Sequence, residues 1–119
     1  MVNYRQNKEW ITAHALALAI YQNTEKFPDN ARNNLTDQLR NVSLSIPATI
    51  AEGLNQEDKA DTIAFLKLAR HSIKEVEYYL LMSYELTYLN AEEYECLKRN
   101  LVGLVEMMNQ KIQKSQHQA

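Results

Sequence analysis

Apolar residues recur at steps of three and four along most of the chain, in four separate stretches, and that is the period of an amphipathic helix. In the first, from about Lys8 to Lys26, Trp10, Ala13, Ala17, Ile20 and Thr24 share a face, with His14, Leu18 and Tyr21 beside it. It should stop before Phe27-Pro28, because the residue preceding a proline is pushed out of the helical region. The second begins near Asn34, where Asn34 and Asp37 have capping-box spacing, and it places Leu35, Leu39, Val42, Ile46, Ile50 and Gly53 on one side. The third, from about Asp58 to Tyr88, carries Phe65, Leu66, Ala69, Ile73, Val76, Leu80 and Leu86. The fourth opens on Asn90 with Glu93 three residues on, a second capping box, and continues through Tyr94, Leu97, Leu101, Leu104, Met108 and Ile112. The closing "QKSQHQA" is polar and is expected to fray.

Short links between such helices make antiparallel neighbours. The pattern therefore predicts one all-α domain over residues 1–119, an antiparallel up-down four-helix bundle. Composition agrees: 45% of residues are hydrophobic and 24% charged, with only two glycines and two prolines. The net charge of −2 argues against a dedicated nucleic-acid binder, whose affinity comes mainly from neutralising phosphates. A single cysteine, Cys96, rules out a disulfide within the chain and suits a reducing compartment. The first residues lack a signal-peptide pattern and no apolar run is long enough to span a bilayer, so a cytoplasmic protein without membrane contact is expected.

The second stretch breaks its own pattern. Pro47 deprives the Ser43 carbonyl of its helical donor, a loss that a nearby hydroxyl such as Ser43 or Ser45 can offset, and a bend is expected there. Gly53 reads as a C-terminal cap before the turn "LNQED", or as a place where another helix comes close. Gln38, Ser45, Thr49 and Glu52 form a polar flank beside the apolar face, which hints at a second contact surface.

"LTDQLRNVSLSIPATIAEGLNQ" resembles the signature of the ribosomal-RNA intervening-sequence proteins, a four-helix bundle family. The matching positions include Leu35, Gln38, Leu39, Arg40, Ser45, Ile46, Pro47, Ala48, Ile50, Ala51, Glu52 and Gly53, with Ser72 and Glu75 in the third helix. Thr49, Asn41 and His71 depart from the pattern; Asn41 stands where the family has a second arginine, which weakens any inference about anion binding. The resemblance covers nearly the whole chain. It implies a four-helix bundle that assembles into a ring, typically a pentamer. Some members are encoded within large-subunit ribosomal RNA genes. A related branch comprises basic accessory proteins of diversity-generating retroelements, which bind reverse transcriptase and nucleic acid.

The residues offer little chemistry beyond this. Di-iron bundles need Glu-x-x-His pairs, but Ile11, Leu68 and Lys114 stand three residues before His14, His71 and His117. No phosphate loop or paired cysteine motif occurs, and Cys96 reads as an ordinary thiol. Glu52 and Glu75 can form a paired-carboxylate site across helices, although pairing with Arg40, Lys74 or a backbone donor is the plainer reading. Lys67, Arg70 and Lys74 make a basic ridge that Arg40 and Arg32 can extend. Tyr78, Tyr79, Tyr84, Tyr88 and Tyr94 crowd one region, more rings than a small bundle core needs, so part of the set is expected between subunits.

The expected protein is non-catalytic, with no cofactor, metal or small-molecule substrate. It is a homo-oligomeric scaffold or binding module, with at most weak, salt-sensitive nucleic-acid association through Lys67, Arg70 and Lys74. The alternative is an RNA- or DNA-binding accessory protein, partnering a reverse transcriptase.

Overall fold

The computed structural model describes residues 3–117, without the side chains of Arg32 and Asn33. Four helices follow in order: α1 (Lys8–Thr24), α2 (Asp37–Leu54), α3 (Lys59–Glu85) and α4 (Ala91–His117). Each packs on the next and α4 returns to α1, so the helices stand as the corners of a square prism of 47 × 22 × 21 Å. Consecutive helices run antiparallel, and no strand occurs among the described residues. Every helix contributes to one core: Leu16 and Ile20 from α1, Leu39, Ile46 and Ile50 from α2, Leu66 and Ile73 from α3, and Leu97, Leu101, Leu104 and Met108 from α4.

The two capping boxes read from the sequence fare differently. At α4 the box closes in both directions: the Glu93 amide donates to Asn90 Oδ1 at 2.8 Å and the Asn90 amide to Glu93 Oε1 at 2.9 Å. Lys26 pairs with the same carboxylate, and these contacts hold Glu93 below the usual glutamate range. At α2 the expected box does not form. The chain passes through a 3₁₀ turn, Asp29–Ala31, and a wide turn, Arg32–Thr36, before α2 begins at Asp37. There the Asn34 side chain accepts from the adjacent Leu35 amide instead. Of the polar C-terminal segment, Gln113–His117 continue α4, and Gln118 and Ala119 lie outside the described residues.

Gly53 is a correction as well. It lies inside α2 with negative φ, and the helix closes at Asn55, whose amide donates to the Glu52 and Gly53 carbonyls. A Cβ on Gly53 would stand 2.9 Å from Phe65 Cβ and 3.5 Å from the Thr62 carbonyl oxygen. The glycine is there because α2 and α3 approach closely, not because a left-handed cap needs it.

The left-handed residue is Thr87, at φ 66° in the turn between α3 and α4. A β-branched side chain is unfavourable in that region, while glycine enters it freely. Thr87→Gly is expected to raise stability by about 0.5–1 kcal/mol, the relief of strain exceeding the extra freedom of the unfolded chain. A urea midpoint at or below that of the parent would contradict this.

Candidate functional site

The signature segment is mostly architecture. Pro47 is buried, and α2 continues through it from Asp37 to Leu54. The nearby hydroxyls do not serve the Ser43 carbonyl: Ser43 Oγ donates to Arg40 O at 3.0 Å and Ser45 Oγ to Val42 O at 2.6 Å. Arg40 reaches across to the end of α1. Its Nε donates to Thr24 Oγ1 at 2.8 Å, its Nη2 to Tyr21 O at 3.2 Å, and its guanidinium lies 4.7 Å from the centre of the Tyr21 ring. It joins the Thr24 hydroxyl as a donor to the Tyr21 carbonyl in the last turn of α1, and it places positive charge where the helix dipole is negative.

Arg40 therefore does not extend the basic ridge. It occupies the α1–α2 edge, whereas Arg70 of the ridge donates to Asn109 of α4 at 2.9 Å on the opposite edge. The side chain of Arg32 is outside the described residues. Lys67, Arg70 and Lys74 do share one flank of α3, the flank turned towards α4, and Lys67 and Lys74 are exposed. Gln38, Glu52 and Glu75 are exposed and Ser72 is half-buried. No ion pair or hydrogen bond joins Glu52 to Glu75, or either one to Arg40 or Lys74, so the structure supports neither the carboxylate pair nor the expected salt bridges. Cys96 is free and exposed.

Three small groups divide the tyrosines. Tyr88 packs on Phe27 with ring centres 5.3 Å apart, and Tyr84 stacks on Tyr94 at 4.6 Å. Tyr78 and Tyr79 meet at 6.0 Å, and Tyr78 is the most exposed of the five, at 57%. Tyr78 and Tyr79 border a hollow with Leu35, Gln38, Met82 and Leu86.

A groove of about 540 Å³ runs between α3 and α4. Ile73, Leu101, Val102 and Val105 form its apolar floor, and Arg70, Lys74, Glu77 and Glu106 stand on its rim. A second, polar hollow of about 370 Å³ lies where α1 begins and α4 ends, with Lys8, Lys111 and Lys114 around it. Glu9 is buried there, accepting from Asn7 Nδ2 at 3.1 Å and facing Lys111 Nζ at 3.7 Å. Sequence reasoning missed this cluster, since nothing in helical spacing relates Glu9 to Lys111. It also missed the exposed Ile11 and Leu18 on α1, although one signal was available: no Asp, Glu, Lys or Arg occurs between Glu9 and Glu25.

Among the described residues, no group of three His, Cys, Asp or Glu side chains is placed to hold a metal ion. No helix is long and apolar enough to cross a membrane. Comparison with known proteins gives a family and a fold. The model of a family described as 23S rRNA-intervening sequence protein matches residues 5–110. A crystal structure from Bacteroides thetaiotaomicron VPI-5482, described as a protein with unknown function from the S23 ribosomal protein family, superposes with a TM-score of 0.79. The two sequences are 24% identical, and the match covers 87% of this chain and 97% of the other. No curated protein matches the chain.

Proposed function

The chain belongs to the 23S rRNA-intervening sequence protein family, and we propose that it acts as a non-catalytic, self-assembling bundle, a scaffold or binding module that forms a ring of five copies. The observation that carries this reading is the surface. Ile11, Leu18, Leu44, Leu68, Tyr78, Leu81, Met82, Leu86 and Val102 are all large, apolar and exposed. Scattered apolar residues need no explanation, but contiguous apolar surface marks an interaction site. Here the exposed residues recur at helical spacing, Ile11 with Leu18 on α1 and Tyr78 with Leu81 and Met82 on α3. Among the described residues no convergent set of nucleophile, base and oxyanion donors accompanies them, which favours binding over catalysis.

Light scattering at tens of micromolar is expected to give a multiple of the 13.8 kDa chain mass, five copies in the ring. The mass of a single chain would overturn the proposal. A second reading, association with RNA or DNA, is favoured by Lys67, Arg70 and Lys74 along one flank of α3 and by the lysines around the hollow at the α1 N-terminus. With a net charge of −2, such binding is weak and falls steeply with salt.

A further inference from the structure

Two surfaces on different sides of the molecule fit one another, and their fit rests on, and gives an interface to, the self-assembly proposed above. The first is the outer face of α1. Ile11 and Leu18 are 47% and 50% exposed, and by helical spacing they lie opposite the buried Ala13, Leu16 and Ile20. A helix face that meets water ordinarily carries charge. This one is uncharged from Trp10 to Thr24.

The second surface is the groove between α3 and α4. It runs along residues 70–77 of α3 and 101–109 of α4, about 10–12 Å at the helical rise, with the half-exposed Val102 in its floor. The stripe from Ile11 to Leu18 spans about 10 Å by the same rise. Stripe and groove also lie at the same height along the bundle. The Arg70–Asn109 hydrogen bond marks where α3 and α4 are level, and the Glu9–Lys111 ion pair does so for α1 and α4. Counting along antiparallel helices from those two ties brings Ile11 level with Asn109 and Arg70, and Leu18 level with Val102 and Glu77. A neighbouring copy with its axis pointing the same way can therefore lay the stripe in the groove without sliding.

Charge agrees with this placement. The four corners follow one another in the same sense in both copies, so α2 of the incoming copy comes beside α3 of the receiving one. That sets Glu52, which is exposed, near the height of Lys67 and Arg70, and among the described residues neither Glu52 nor Lys67 has an ion-pair partner in its own chain.

We infer that the outer face of α1 in one copy seats in the α3–α4 groove of the next copy. The contact joins two different surfaces, so an open row of copies keeps one free groove at one end and one free stripe at the other until the row closes into a ring.

Disulfide trapping tests this in a Cys96→Ala background, which removes the exposed native thiol. Leu18→Cys and Val102→Cys both sit at exposed positions and leave the core intact. A mixture of the two single variants is expected to form a disulfide linking different copies. The double variant is expected to form a covalent ladder that collapses on reduction. Cross-linking of the Leu18→Cys variant to itself would indicate a two-fold contact and overturn the inference. Absence of the mixed disulfide in a protein that light scattering shows to be multimeric would place the interface elsewhere and leave self-assembly standing. A single-chain mass for the Cys96→Ala parent would remove both.

Discussion

Gly53→Val is expected to lower the stability of the bundle by about 3 kcal/mol, read as a fall in the urea midpoint with little change in slope. The first carbon added already stands 2.9 Å from Phe65 Cβ, a distance that non-bonded carbons do not keep. Phe65 Cβ is fixed to its backbone and cannot swing aside as the end of a long side chain would. Relief requires α2 and α3 to move apart, and that loosens the contacts Ile46, Ile50, Leu66, Ala69 and Ile73 make in the buried core. Gly53→Ala should cost less, because the gain in helix propensity of about 1 kcal/mol offsets part of the same overlap. Valine adds two methyl groups and a stiff side chain to the clash, without that gain. Parent-like stability of Gly53→Val would mean that the two helices separate freely, and the glycine would then need another explanation.

The same residue shows where sequence reasoning stops. Helical spacing places Gly53 on the apolar face, and the turn that follows makes a cap equally natural. Only the sign of φ and the distance to Phe65 decide between them. Asn90–Glu93 and Asn34–Asp37 have the same spacing, yet only the first closes a box. Aspartate is one methylene shorter than glutamate, and the wide turn from Arg32 to Thr36 changes the geometry before α2 begins. The four helices and the core were legible because burial imposes its period on every stretch. Ile11, Leu18 and Val102 were not, because the rule that finds helices assigns apolar residues to the inside. Nor can one helix's spacing say which neighbour a side chain reaches, and so Arg40 was grouped with a ridge on the opposite edge of the bundle.

The groove and the basic ridge share residues, and this links assembly to the question of nucleic acid. Arg70 and Lys74 stand on the rim where the incoming α1 is proposed to lie, so in an assembled ring both are partly covered. The cations outside that contact include Lys8, Lys111 and Lys114, where buried Glu9 already faces Lys111, and the exposed Lys98 and Arg99. A ring therefore strengthens the expectation of weak phosphate binding rather than multiplying the α3 ridge.

Arg40→Ala separates the structural arginine from the exposed cations, and it is expected to cost about 2–3 kcal/mol of stability. The substitution removes two charge-assisted hydrogen bonds, to Thr24 Oγ1 and Tyr21 O, and the stacking on the Tyr21 ring, all at a side chain only 16% exposed. Its ion pair with Glu25 adds little, since that carboxylate is mostly in water. Lysine should not rescue the loss, because an ammonium cannot reach both acceptors in the fork geometry of a guanidinium. Changing Lys67, Arg70 and Lys74 together to glutamine should leave the stability of the fold within about 0.5 kcal/mol of the parent, because these groups lie on the surface. Fluorescence anisotropy with a structured RNA should behave the opposite way. Arg40→Ala leaves the titration unchanged where the protein is folded, and the triple variant weakens an association seen only at low salt. Tight binding by the parent at physiological salt, abolished in the triple variant, would make nucleic acid the principal ligand and leave the ridge uncovered in the active form.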